Sequence, residues 1–138
     1  MSVKYSIAAM KNPSDEDAPY KYYAKAQAHG ETDYDALCED VNTRCTATRA
    51  DIGASIDGTL VSIQAALRRG EIVRFGNFGS FQVQLSSVGA ESERLFNTSY
   101  IKKARIQFRP GKMLLNMLKT LDYELVPAKP KKPAVAVV

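Results

Sequence analysis

The residues most able to do chemistry in this sequence are cationic, and they are concentrated in one stretch of the chain. From Arg94 to Leu121 no acidic residue occurs. The cations of that stretch are Arg94, Lys102, Lys103, Arg105, Arg109, Lys112 and Lys119. The net charge of +4 is modest for the whole chain, but its local concentration predicts a surface that binds a polyanion, because lysine and arginine are the usual phosphate ligands.

Catalytic and metal chemistry have little support in the sequence. His29 is the only histidine, and no Cys, Asp or Glu cluster with metal-ligand spacing lies near it, so we expect no metal and no cofactor. The sequence shows neither a nucleophile–base pair nor a phosphate-loop glycine pattern, so we predict that the chain is not an enzyme and has no small-molecule substrate. Cys38 and Cys45 are predicted to lie on one helix, too far apart for a disulfide, and we expect both to be reduced core residues.

Hydropathy and the opening residues predict the cellular location of the protein. No run of about 18 apolar residues occurs, so no transmembrane helix is expected. The opening MSVKYSIAAMKNPSDED lacks the apolar segment of a secretory signal. We therefore expect a cytoplasmic protein with no membrane partner.

The basic stretch contains a predicted strand with two unlike faces. Alternation over residues 100–109 places basic residues on one side and mostly apolar residues on the other. The main candidates for contacts with phosphates or with a DNA minor groove are Lys103, Arg105 and Arg109. A solvated basic face is the alternative interpretation.

Four further residues are candidates for the same contact. Gly111 and Lys112 stand where a helix is predicted to begin, and free N–H groups and the helix dipole favour a phosphate there. Lys102 alternates to the other side of the strand, and Arg94 follows acidic residues, so both are less favoured.

Capping signals and periodicity predict the elements around this strand. VKYSIAAM and YKYYAKAQAH alternate on either side of an acidic, proline-containing stretch, which predicts a β-hairpin within residues 1–30. Two helices follow, with Thr32 and Thr48 as N-caps, and the second ends before Gly70. The last residues, 123–138, are rich in Lys, Pro and Ala, and we expect a disordered tail there.

A glycine–phenylalanine segment joins two predicted strands. In RFGNFGSF, residues 74–81, aromatic rings recur at every third position, a spacing that fits neither a strand nor a helix. Glycine permits a sharp turn, so the segment predicts a corner at which the rings converge on one core. These rings belong to Phe75, Phe78 and Phe81.

The ordered motifs resemble those of one family. The segment AALRRGEIVRFGNFGSF (65–81), followed at the family's usual distance by IQFRPGK (106–112), is similar to the HU/IHF family of bacterial histone-like DNA-binding proteins. The N-terminal extension makes the chain most similar to the longer HU-related branch of that family. The resemblance covers roughly residues 31–121.

The resemblance implies an α+β, HU/IHF-like intertwined homodimer fold. Over residues 31–122 each chain would contribute two N-terminal helices, a three-stranded antiparallel sheet with a β-arm, and a short C-terminal helix. The hairpin (1–30) and the tail (123–138) would be additions. The implied function is architectural, largely sequence-nonspecific binding and condensation of double-stranded DNA in the nucleoid, with the three phenylalanines anchoring the arm.

Two departures from the family concern the arm tip. The family's tip carries a proline that wedges between base pairs, whereas no proline lies between Leu85 and Ile101 here, and the tip contains Glu91 and Glu93. The candidates for substitute intercalating side chains are Leu95 and Phe96. A protein-interaction module with weak or no DNA bending, binding of single strands or RNA by the hairpin tyrosines, and a heterodimer with a related chain all stay open as alternatives.

Overall fold

The structure, a computed structural model, describes residues 1–129 and shows a mixed α and β fold, as predicted. Within that range three α-helices and six β-strands occur, and the strands form two three-stranded sheets. The elements are β1 (Val3–Met10), β2 (Lys21–Ala26), α1 (Tyr34–Arg44), α2 (Arg49–Arg68), β3 (Val73–Phe75), β4 (Gly79–Ser87), β5 (Ile101–Pro110), α3 (Lys112–Lys119) and β6 (Tyr123–Leu125). The chain divides into two compact units, one of residues 1–32 with the segment from 120 onward, the other of residues 33–119.

The first unit is a sheet with the strand order β2-β1-β6. β1 and β2 pair antiparallel over Tyr5–Met10 and Lys21–Ala26, which confirms the predicted hairpin. β6 pairs parallel with β1. Residues 123–125 lie in the predicted disordered tail, and that prediction is wrong for them because β1 supplies their backbone hydrogen-bond partners. Residues 130–138 of the tail lie outside the described residues.

Both long helices of the second unit begin at side-chain caps. The Thr48 hydroxyl accepts the Asp51 N–H at 3.2 Å and the Asp51 carboxylate accepts the Thr48 N–H at 3.3 Å, which confirms the predicted capping box of α2. α1 is capped by Asp33, whose carboxylate accepts the Ala36 N–H at 2.8 Å. The prediction of Thr32 as this cap is wrong, because the carboxylate one residue later reaches the free N–H groups of the first turn.

The two cysteines have different surroundings. Both are free thiols, and Cys38 on α1 is fully buried, as predicted. Cys45 is exposed, so the prediction that it belongs to the core is wrong. The reason is that α1 ends at Arg44 and the backbone of Cys45 is already extended, which takes its side chain off the buried face of the helix.

The second sheet, β3-β4-β5, contains the arm. β4 and β5 pair antiparallel along Gly79–Ser87 and Ile101–Pro110, with a register shift beyond Ser86. Pro110, predicted in the first turn of the last helix, is instead the last residue of β5, and α3 begins at Lys112. Proline is tolerated there because β5 is an edge strand that needs no N–H donor on its outer side.

The described part of the chain buries little apolar surface by itself. Its buried apolar side chains are Cys38 and Ile52 alone. Large apolar side chains of the second unit that are exposed include Leu60, Val61, Phe75, Leu85, Ile106 and Leu118. A domain of this size normally buries a contiguous apolar cluster, so the described residues of the second unit do not complete a core on their own.

Candidate nucleic-acid interface

The register of the second sheet places polar residues of three strands in one row at the base of the arm. Arg74 of β3 lies opposite Ser80 of β4, and Ser80 lies opposite Arg109 of β5. Residues opposed in this way point to the same side of a sheet, and neighbouring strands are about 4.8 Å apart. Two guanidinium groups therefore flank one hydroxyl group.

The same face continues along the arm. Lys103 and Arg105 lie on it with Arg109, as the alternation predicts, and each is opposed by a polar residue of β4. The Arg105 Nε donates to Gln84 Oε1 at 3.3 Å, and the Gln84 amide donates in turn to Gln107. These amides hold the Arg105 guanidinium near the sheet without neutralising its charge.

No carboxylate among the described residues pairs with the cations of this face. The ion pairs found there all use other cations, which are Lys4, Arg44, Arg49 and Arg69. We call Arg74, Lys103, Arg105 and Arg109 the arm cations. Because no carboxylate is paired with them, their charge is available to a phosphate.

Arg74 belongs to this face, although the sequence analysis did not identify it. It lies before the acid-free stretch, and β3 has only three residues, too few for an alternation pattern. With Ser80 and Arg109 it borders a hollow of about 200 Å³, which Gly79 and Gly111 also line. The tight corner is the sequence feature that could have identified Arg74, because a short turn fixes the register of β3 against β4.

Backbone hydrogen bonds join the corner between β3 and β4 to the start of α3. The Gly111 N–H donates to the Phe78 carbonyl at 2.8 Å, and the Met113 N–H donates to the Asn77 carbonyl at 3.1 Å. The N–H of Gly111 is therefore not free for a phosphate, contrary to the reasoning from sequence, because the corner occupies it. Lys112 lies between these two donors as the first residue of α3.

Two glycines allow the backbones to approach closely at this junction. Gly79 has a φ of +154°, and a Cβ there would lie 2.5 Å from the carbonyl oxygen of Arg109. A Cβ on Gly111 would lie 2.2 Å from the carbonyl oxygen of Asn77. Other residue types cannot fit without moving the backbone, so these positions fix where the arm leaves the sheet.

The aromatic rings of the corner meet through Phe108 of β5, on the side of the sheet opposite the arm cations. The ring centroids of Phe81 and Phe108 are 4.9 Å apart, those of Phe78 and Phe108 5.7 Å, and those of Phe75 and Phe78 6.0 Å. The predicted convergence of the three rings is confirmed. Phe75 is still 47% exposed, so their role as the core that anchors the arm stays a prediction.

The arm ends in two short 3₁₀ turns. The first covers Glu93–Leu95 and contains Arg94, beyond the paired part of the arm. Phe96 follows and stacks on Tyr100, with the ring centroids 5.4 Å apart. Leu95 is 56% exposed, so little of its side chain is held by packing within the tip.

Other candidate features lie away from the arm cations. Lys102 lies at the register shift of β5, so its place on the opposite side of the strand stays a prediction. The Lys129 amine donates to the Ala28 carbonyl at 2.8 Å. In the part of the chain that the structure describes, no group of His, Cys, Asp or Glu residues is arranged to hold a metal ion. Among the helices of residues 1–129, none is both long and apolar enough to span a membrane.

Comparisons with known proteins relate this chain to HU domains. A family model described as "HU domain fused to wHTH, Ig, or Glycine-rich motif" (HU-HIG) matches residues 1–124. The fold is similar to that of a "Putative bacterial DNA binding protein" from Bacteroides vulgatus, with a TM-score of 0.68 and 14% identity, over 95% of this chain and 51% of that one. This chain thus spans about half the length of that protein.

A second solved structure and the curated proteins complete the comparison. An HU mutant from Thermotoga maritima is 26% identical, with a TM-score of 0.47, over 62% of this chain and 97% of that one. The search of curated proteins gave no match.

Proposed function

The chain belongs to the HU-HIG family of HU domains, and from this premise we propose that it is an architectural protein that binds double-stranded DNA with little dependence on sequence. It acts as a homodimer, through the basic face of the β-arm, on the nucleoid in the cytoplasm. Its role is mechanical and is not enzymatic.

The observation that carries this proposal is the row of two arginines and a serine across three strands at the base of the arm. Arg74 and Arg109 flank Ser80, and Arg105 and Lys103 extend the row toward the tip. A rigid sheet that presents guanidinium groups and a hydroxyl group on one face suits the phosphate backbone, which carries no sequence information. Lys112, the first residue of α3, adds a charge directly after Gly111, which lines the same hollow.

The homodimer is supported by what a single chain leaves uncovered. The ring cluster of the corner and one side of α2 and α3 are exposed, with Leu60 54%, Phe75 47% and Leu118 48% accessible. A second copy that covers these surfaces would complete the core of the second unit. It would also place two arms, and two rows of cations, on one assembly.

The tip of the arm is the second DNA contact that we propose. Leu95, and Phe96 if it leaves its stack on Tyr100, are positioned to press between base pairs, since apolar wedges kink DNA in minor-groove proteins. Arg94 is a weaker contact because Glu93 precedes it. Lys102 is also a weaker candidate because it lies at the register shift of β5, outside the regular row of the arm cations.

A protein-interaction module is the second candidate function. The observation that favours it is the tip, where a hollow bordered by Glu91, Glu93 and Phe96 combines acidic and apolar groups. An acidic tip repels the phosphate backbone, whereas a basic protein surface would fit it. This function would leave the cations of the arm without a partner.

The test is fluorescence anisotropy of labelled duplex DNA with the full chain, from about 50 to about 200 mM salt, a range over which phosphate contacts weaken steeply. The variant Arg105→Glu/Arg109→Glu reverses two arm cations. The matched control, Lys21→Glu/Lys25→Glu, makes the same charge change on the polar face of the hairpin.

We expect steep salt dependence for the wild type, with a slope in log K against log salt that flattens by roughly 0.9 for each phosphate that the protein no longer neutralises. The arm variant should bind at least about tenfold more weakly, and the control should stay close to wild type. Weak binding by a well-folded wild type would contradict the DNA-binding function and favour the protein-interaction module.

A further inference from the structure

One face of the β2-β1-β6 sheet is built entirely from apolar and tyrosine side chains. The pairing of β1 with β2 and with β6 gathers the residues of one alternation on this side. They are Val3, Tyr5, Ile7, Ala9, Tyr22, Ala24, Ala26, Tyr123 and Leu125. We call this the tyrosine face. Lys4, Lys21 and Lys25 all belong to the opposite side.

The tyrosine face is open. Ile7 is 52% exposed, Tyr22 74%, Tyr123 66% and Leu125 57%. The first unit has no helix among its described residues to lay across the sheet. A sheet with one wholly apolar side normally forms one layer of a two-layer structure, so this face calls for a second layer.

The relief of the face is self-complementary. Val3, Tyr5, Ala24, Ala26 and Tyr123 border a hollow of about 440 Å³, because the two alanines of the edge strand β2 lie beside larger side chains of β1. Tyr22 stands at the other end of the same face, two to four residues along the strand, or about 7 to 13 Å away. The same surface therefore offers both a projecting ring and an apolar recess.

We propose that the tyrosine face binds the tyrosine face of a second copy of this chain. A two-fold axis that crosses the strands near Ile7 and Ala24 would place Tyr22 of each copy over the hollow of the other. An isologous contact of this kind needs only one self-complementary patch.

The lack of charge argues against a nucleic acid as the occupant of this face. It carries no formal charge, so two copies meet without repulsion between like charges. A single-stranded nucleic acid could stack on the tyrosines, but it needs cations for its phosphates, and the lysines of this sheet lie on the other side. The tyrosine face is therefore a protein surface.

The size of the face indicates a weak contact that acts through repetition. Three strands and the 8 residues of β1 span on the order of 400 Å², against about 800 Å² per partner in a stable complex. Such a contact is distinct from the dimer proposed above, which uses the second unit. An assembly with two tyrosine faces would gain affinity by multivalency and so link one dimer to the next.

The experiment is sedimentation of the full chain without DNA, from about 1 µM to about 1 mM, the range of weak association. Tyr22→Ser removes the projecting ring, and Ala24→Glu places a charge near the proposed axis. Tyr23→Ser is the matched control, because the neighbouring tyrosine is half-exposed on the opposite side of the same strand. Circular dichroism checks that each variant is folded.

We expect the weight-average mass of the wild type to rise with concentration beyond that of a dimer. Tyr22→Ser and Ala24→Glu should shift this rise to at least about tenfold higher concentration, and Tyr23→Ser should not. Superimposable masses for the wild type and a folded face variant over the whole range would overturn the inference. If Tyr22→Ser does not fold, Ala24→Glu alone decides.

DNA binding does not enter this measurement, so the two proposals fail separately. If the wild type and both face variants are dimers at every concentration, the inference is overturned and the DNA-binding function still stands. A wild type that associates through the tyrosine face but does not bind DNA supports the inference and contradicts the proposed function.

Discussion

The two three-stranded sheets of this protein sort their side chains alike but are held by different means. Each places lysines or arginines on one side and apolar groups on the other. In β3-β4-β5, Gly79 and Gly111 bring backbones into direct contact at the corner, and four phenylalanine rings pack behind it. In β2-β1-β6, the third strand has three residues, and Glu124 joins it to Ser2 and Lys4 at the surface.

The difference shows that alternation assigns side chains to faces but does not by itself make a sheet rigid. Close backbone contact allows little adjustment, whereas exposed polar contacts exchange with water and contribute little. The close backbone contacts in β3-β4-β5 therefore fix the positions of the arm cations. The hairpin sheet is the one that needs a covering layer.

The largest effect should come from disturbing the close backbone approach in the arm sheet. Gly111→Ala places a methyl group 2.2 Å from a carbonyl oxygen of the corner, and we expect it to lower the free energy of unfolding by about 3 kcal/mol. Urea denaturation measures this. Gly89→Ala at the arm tip is the matched control, since no atom lies within 4 Å of a Cβ placed there. This substitution should change the free energy of unfolding by about 0.5 kcal/mol or less. Equal effects of the two substitutions would show that the corner is not rigid.

The next effect compares the cationic faces of the two sheets. Arg74→Gln should weaken duplex binding by about fivefold and flatten the salt slope by roughly 1.8, because each of the two chains in the dimer then neutralises one phosphate fewer. Lys25→Gln removes the same charge from the hairpin sheet and should leave both quantities near wild type. Anisotropy titrations at several salt concentrations measure both. A larger effect of Lys25→Gln would move the DNA interface to the hairpin.

A smaller effect should distinguish the tips of the two hairpins. The tip of β4–β5 exposes Leu95, whereas the tip of β1–β2 contains Asp15, Glu16 and Asp17. Leu95→Ser should reduce the DNA bend, measured by energy transfer between the ends of a duplex, while the free energy of unfolding changes by about 0.5 kcal/mol or less. An unchanged bend would exclude Leu95 as a wedge and leave Phe96 as the candidate.

The smallest effect should be a pH dependence confined to the hairpin sheet. Hydrogen bonds from Ser2 and then Lys4 lower the pKa of Glu124 below its usual 4.5. Its contribution to β1–β6 pairing is therefore present above that value and is lost as the pH falls through the lower, folded pKa. Hydrogen exchange at the Val126 N–H, corrected for intrinsic rates, should show less protection in acid, and Glu124→Gln should remove the change. An equal loss of protection at amides of β4 would contradict this prediction, because the polar face of β4 and β5 has no carboxylate.

Features that depend on neighbouring residues were predicted from the sequence. Thr48 and Asp51 form their capping box, and Gly70 adopts a φ of +78° after α2, because each involves residues only a few positions apart. The faces of β5 follow in the same way from alternation along one strand. The cap of α1 was misplaced by one residue because Thr32 and Asp33 are both good caps, and local patterns do not rank them.

Features that depend on distant pairing were not predictable. β6 is three residues long, and its hydrogen-bond partners on β1 lie more than a hundred positions earlier, so no local pattern marks it as a strand. Arg74 joins the arm cations only through the register of β3 against β4. The N–H of Gly111 was expected to be free, because the sequence does not show that the Phe78 carbonyl lies 2.8 Å away.

The sequence by itself determined the helices and the longer strands, which side of β5 is cationic, and that the chain resembles HU, since these depend on residue type and short spacing. The tertiary structure alone decided which cations share one face, which backbone donors are already occupied, and which apolar face is left open. The physical reason is that register and close contact between strands depend on backbone groups far apart in the chain, and side-chain patterns describe those only indirectly.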